Sequence, residues 1–125
     1  MRCFTVLAAA AIAISGLGLS PARAEAAFTA HVTITVRLSP SSTPVKSTLT
    51  CAGASSRACR ALADNPRALW PNSKRQCTQI YGGPERARIR GTVNGRAVNV
   101  VVTRTDGCGM SDWAALTPVI GPPGA

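Results

Sequence analysis

The sequence predicts an α+β domain in which antiparallel strands carry two short helices on one face. Three observations predict it. His31–Leu38 alternates apolar and polar residues without a break, the mark of a strand with one buried face. Asn94-Gly95 sits between two further alternating runs, where both residues tolerate the positive φ of a two-residue hairpin turn. Two short apolar segments, after Ser56 and around Trp113, have helix-capping residues ahead of them.

Met1–Ala24 reads as a cleaved secretory signal: Arg2, an apolar run from Phe4 to Leu19, then the small residues of Ala22-Arg23-Ala24. The run is short for a membrane span, and Gly16 and Gly18 weaken it. Cleavage after Ala24 takes Arg2, Arg23 and Cys3 from totals of 14 Lys+Arg and 5 Cys. It leaves 101 residues, four cysteines and, against 5 acidic residues, a net charge of +7. That length suits one domain with a modest core. The domain is expected over 25–121, with 122–125 as a disordered Gly/Pro tail. Four cysteines in an exported chain point to two disulfides, in any of three pairings. Zinc fits poorly, because no Cys-x2-Cys pair is present and His31 is the sole histidine.

Glu25–Ala30 is expected to be a loose start to the first strand, whose inner side is Val32, Ile34, Val36 and Leu38. Ser39–Pro44 is a turn, and Val45–Cys51 a second strand pairing with the first. Ser56 caps a helix bearing Cys59, Leu62 and Ala63 and ended by Asn65-Pro66. A second helix, capped by Ser111 or Asp112, runs through Trp113–Leu116 and stops at Pro118. Pairing Val93 with Arg96 sets Gly91 opposite Val98, Ile89 opposite Val100 and Ala87 opposite Val102 on an apolar face. Arg86, Arg88, Arg90, Asn99 and Thr103 take the other.

Chemistry-bearing residues are sparse. A nucleophile needs a base nearby, and Glu25, Asp64, Glu85, Asp106 and Asp112 are scattered, so the chain is not expected to be an enzyme and calls for no cofactor. Lys74-Arg75 reads as a solvated dibasic pair. Trp70 and Trp113 read as core, and His31 as exposed. The arginine face suggests attraction to acidic envelope polymers. Aromatic residues are only 4% of the chain, so a base-stacking platform for nucleic acid is not expected. The segment that stands out is Cys77-Thr78-Gln79-Ile80-Tyr81-Gly82-Gly83-Pro84, an extended stretch between a cysteine and a turn.

Leu49-Thr50-Cys51, Cys59, Cys77-Thr78-Gln79-Ile80-Tyr81, Asn94-Gly95-Arg96 with Val98, and Arg104-Thr105-Asp106-Gly107-Cys108 together resemble the Streptomyces subtilisin inhibitor family, secreted subtilase-type protease inhibitors of actinobacteria. The similarity runs from the first strand to Leu116. It implies a five-stranded antiparallel sheet with two helices, often a homodimer, and disulfides Cys51–Cys59 and Cys77–Cys108. It also implies inhibition of a subtilisin-like or other extracellular serine protease; the composition leads us to expect no nucleic-acid and no membrane partner. Carried over by position, Gln79 is P1, the side chain that enters the specificity pocket, and Ile80 is P1′. Thr78 is then P2 and Cys77 P3, with Tyr81 flanking the reactive bond. Gln79 is neutral and polar where many relatives carry a long apolar or basic P1, which implies weaker binding to a hydrophobic slot.

Overall fold

β1 (Thr29–Arg37) lies inside a four-stranded antiparallel sheet of order β2-β1-β3-β4, with β2 at Val45–Ala52, β3 at Gly83–Val93 and β4 at Arg96–Arg104. The structure is a computed structural model, and it describes residues 27–124 together with Gly16 and Gly18. Apart from those two glycines, the predicted signal segment 1–24 lies outside the described residues, as do Glu25, Ala26 and Ala125. Three helices, α1 (Arg57–Asp64), α2 (Pro66–Leu69) and α3 (Gly107–Ile120), complete the α+β fold.

The alternation that predicts β1 places Ala30, Val32 and Ile34 in the core, at 5%, 0% and 2% exposure. The strand therefore starts earlier than expected, and Leu38 falls beyond it, exposed. The β3–β4 register is the one derived from Asn94-Gly95, with Val93 opposite Arg96, Gly91 opposite Val98, Ile89 opposite Val100 and Ala87 opposite Val102. Asn94 (φ 50°) and Gly95 (φ 75°) both adopt the left-handed conformation such a turn requires. β1 pairs with β3 from Ala30–Val93 to Arg37–Arg86, so chain segments from either side of the Cys77 region form the centre of the sheet.

The helices cover one sheet face. Leu62 of α1, Leu69 of α2 and Trp113, Leu116 and Ile120 of α3 close over Val32, Ile34, Ile89, Val98 and Val102. Trp113 donates its indole N–H to Gly121 O (3.1 Å), which satisfies its polar edge inside the core. Trp70 packs at the margin, donating to Ala97 O (2.9 Å), with the Arg96 guanidinium 4.2 Å from its ring centre.

Three expectations need correction. Among the described residues the sheet has four strands, not five, because Arg75–Gly82 carries no regular secondary structure. The second helix begins at Gly107, not after Ser111: Asp106 is the cap, its carboxylate accepting from Gly109 N–H at 2.8 Å. That helix also runs through Pro118 to Ile120. The hydrogen bond Pro118 cannot make belongs to the carbonyl of Ala114, an exposed residue, and Gly121 N–H still closes on Thr117 O (2.8 Å). α1 ends at Asn65-Pro66 as expected, but the domain has three helices, not two, because Pro66 also occupies the first turn of α2, where its missing N–H costs nothing. α1 forms as expected, with Ser56 accepting from Cys59 N–H at 3.0 Å.

Candidate functional site

Two disulfides, Cys51–Cys59 and Cys77–Cys108, have Cα separations of 5.7 and 5.2 Å. The first ties the end of β2 to α1 inside the core, with both residues buried. The second ties the 70–82 connection to the first turn of α3. This bridge organises the region holding Gln79 and Ile80.

Backbone anchors flank that region on both sides. Upstream, Gly107 N–H donates to Thr78 O at 2.8 Å. This N–H belongs to the first turn of α3, where helix geometry leaves donors without internal partners, so the loop supplies an acceptor the helix lacks. A side chain at position 107 would collide with the Thr78 hydroxyl, and glycine is what allows this approach. Downstream, Gly82 N–H donates to Arg104 O (2.7 Å), and the Arg104 guanidinium donates to Gly82 O (2.8 Å). Arg104 is itself held by Glu85, with both carboxylate oxygens 3.2 Å away. Glu85, at 7% exposure, is the one buried charged residue among those described, and its burial is tolerated because the charge is paired. A register irregularity between Gly83 and Arg86 marks this entry into β3.

Gln79, Ile80 and Tyr81 span the gap between these anchors, and all three are exposed. Ile80 and Tyr81 are at 59% and 66%, large apolar surfaces left in water. The Gln79 side chain rests on the Cys77 carbonyl through a long, exposed hydrogen bond (3.3 Å).

The shoulder of the loop holds contacts the sequence does not announce. Arg75 is exposed, as expected of a solvated dibasic pair, and in addition makes a two-pronged ion pair with Asp112 of α3 (3.2 and 2.6 Å). The hydrogen bonds Arg75 donates to the Asp112 carboxylate raise its pKa, outweighing burial, so the guanidinium stays charged. Lys74 is exposed, and its N–H donates to Asn72 Oδ1 (2.9 Å). Cys77, Asp106 and Cys108 bring sulfur and carboxylate atoms within 4.8 Å of one another. The sulfurs are bonded to each other and Asp106 caps α3, so the group is not a metal-ligand set. His31 lies at the far end of the sheet, its Nδ1 3.1 Å from Thr50 Oγ1.

No family model matches the chain, and no curated protein and no solved structure is significantly similar to it. The arrangement of residues is therefore what any functional reading has to rest on. It offers an exposed dipeptide held from both flanks, next to a covalent bridge that crosses it.

Proposed function

We propose that this chain is a secreted inhibitor of subtilisin-like serine endopeptidases, related to the Streptomyces subtilisin inhibitor family, and that Gln79–Ile80 is its reactive bond. The observation that carries the reading is the fixing of an exposed Gln79-Ile80-Tyr81 segment by the Cys77–Cys108 disulfide, Gly107 and the Arg104–Glu85 pair.

An extended segment adds to the edge of a protease cleft through its backbone, while alternate side chains fill subsites. A loop already held in place loses little conformational entropy on docking, so binding energy is not consumed in ordering it. The Gln79 side chain exchanges its 3.3 Å contact with Cys77 O for contacts in the specificity pocket. Finally, cutting Gln79–Ile80 does not release a product. The two halves remain joined by Cys77–Cys108, which spans the bond, and by the β1–β3 ladder, whose strands lie on opposite sides of it. The new termini stay near one another, at the high effective concentration that favours resealing.

Titration of subtilisin with the purified mature protein tests this. The expected result is loss of activity to a one-to-one end point, competitive with a small active-site substrate. Steady turnover of the protein as a substrate, with protease activity undiminished, would overturn it.

A further inference from the structure

The sheet face away from the helices carries a second feature unrelated to the loop. Arg37 of β1, Lys46 of β2 and Arg86, Arg88 and Arg90 of β3 all project from it and are exposed. Two grooves run across it. One of about 410 Å³ is lined by Thr35, Arg37, Arg86 and Arg88 together with the apolar Pro40, Pro84, Ala87 and Val101, and one of about 290 Å³ by Thr33, Thr35, Lys46, Arg88 and Arg90. They share Thr35 and Arg88, so they form one trough. Among the described residues no acid faces it: Asp64, Asp106 and Asp112 belong to the helices or their caps, and Glu85 is buried against Arg104.

We propose that this trough binds a linear polyol-phosphate chain, a base-free phosphodiester polymer. Charge sets the sign of the ligand: five cations with no intervening acid create a field that attracts a polyanion. Guanidinium groups match phosphate oxygens in a planar fork, and three of them stand in line on β3. Alternate residues of a strand are about 6.8 Å apart, which suits an extended polymer with its phosphates separated by short polyol units. Arg88 is steadied by donating to Asn99 Oδ1 at 2.9 Å, and its remaining N–H groups stay free for the ligand. Thr33, Thr35 and Asn99 add hydrogen-bonding groups suited to polyol hydroxyls.

Other occupants fit less well. None of Phe28, Trp70, Tyr81 and Trp113 lines either groove, so bases have no aromatic platform there to stack on. A second copy packed face to face would set like charges against like.

The test is binding of the mature protein to an end-labelled synthetic poly(glycerol phosphate), followed by fluorescence anisotropy at several salt concentrations. Binding that weakens with salt is expected. The triple substitution Arg86→Ser, Arg88→Ser and Arg90→Ser should weaken it about tenfold, at roughly twofold per exposed ion pair. Arg57→Ser, Arg60→Ser and Arg67→Ser remove equal charge from the helix side and should weaken it far less. If the trough triple loses its cooperative melt, Arg88→Ser alone reads the same site, with a loss of about twofold. Equal losses from both triples, no measurable binding, or equally tight binding of an oligothymidylate of matched charge would overturn the proposal. Subtilisin titration of the same variants separates this outcome from the inhibitory reading, which involves none of these residues.

Discussion

Replacing Cys77 and Cys108 together with serine removes the bridge across the exposed loop. Both residues are only partly buried, so the substitution acts mainly through chain entropy, with little loss of packing. The bridge spans 31 residues of sequence, and for that length the loop-closure relation gives a loss of about 3.7 kcal/mol. In a domain of about a hundred residues each kcal/mol moves the melting midpoint by ~4–8 °C, so a fall of ~15–30 °C is expected. Against a total stability of about 5–15 kcal/mol the variant still folds at low temperature. Urea unfolding followed by the fluorescence of Trp113, buried in the core, gives the free energy directly. The same variant, incubated with subtilisin, should be cut and degraded, because the covalent link between the halves is gone. A stability loss below about 1 kcal/mol, with the loop still resistant to proteolysis, would refute the role assigned to the bridge.

Three further outcomes follow from the loop geometry. Gln79→Met places an apolar side chain at the tip without touching an anchor and should tighten subtilisin inhibition by about tenfold, read as the inhibition constant. An unchanged constant would remove Gln79 from the specificity pocket. Gly107→Ala drives a methyl group into the Thr78 hydroxyl and should weaken inhibition by displacing the loop, while α3 gains helix propensity of roughly 1 kcal/mol. Paired titration and thermal melts separate the two effects. Glu85→Ala leaves the partly buried Arg104 without its carboxylate and should cost about 2 kcal/mol in urea unfolding, with weaker inhibition as the Gly82 anchor loosens.

Local signals explain why some of this architecture can be read from sequence and some cannot. The β3–β4 register is legible because Asn94-Gly95 fixes the turn and a one-residue slip would bury Arg88 and Arg90. Ser56 is legible as a cap because the residues after it form helix without interruption. The start of α3 is hidden, since Gly107 and Gly109 lower helix propensity and mask the cap at Asp106. Their smallness is needed elsewhere: a side chain at 107 strikes Thr78, and one at 109 strikes the Thr103 carbonyl. Pro66 is ambiguous because proline both ends one helix and starts the next. Arg75–Asp112 and Arg104–Glu85 join residues 37 and 19 apart, and no periodicity in the sequence reports them. Cys77–Cys108 and Cys51–Cys59 follow the pairing implied by the family resemblance, whereas cysteine count alone leaves three pairings open.

The most direct measurement of the inhibitory account is mass-spectrometric mapping of the bond cut when the mature protein is held for a long time with catalytic subtilisin. The account predicts a single cut, between Gln79 and Ile80, in a molecule whose halves separate only after reduction of Cys77–Cys108 and unfolding. Cleavage after Lys74 or Arg75, or progressive fragmentation with no dominant site, would contradict it.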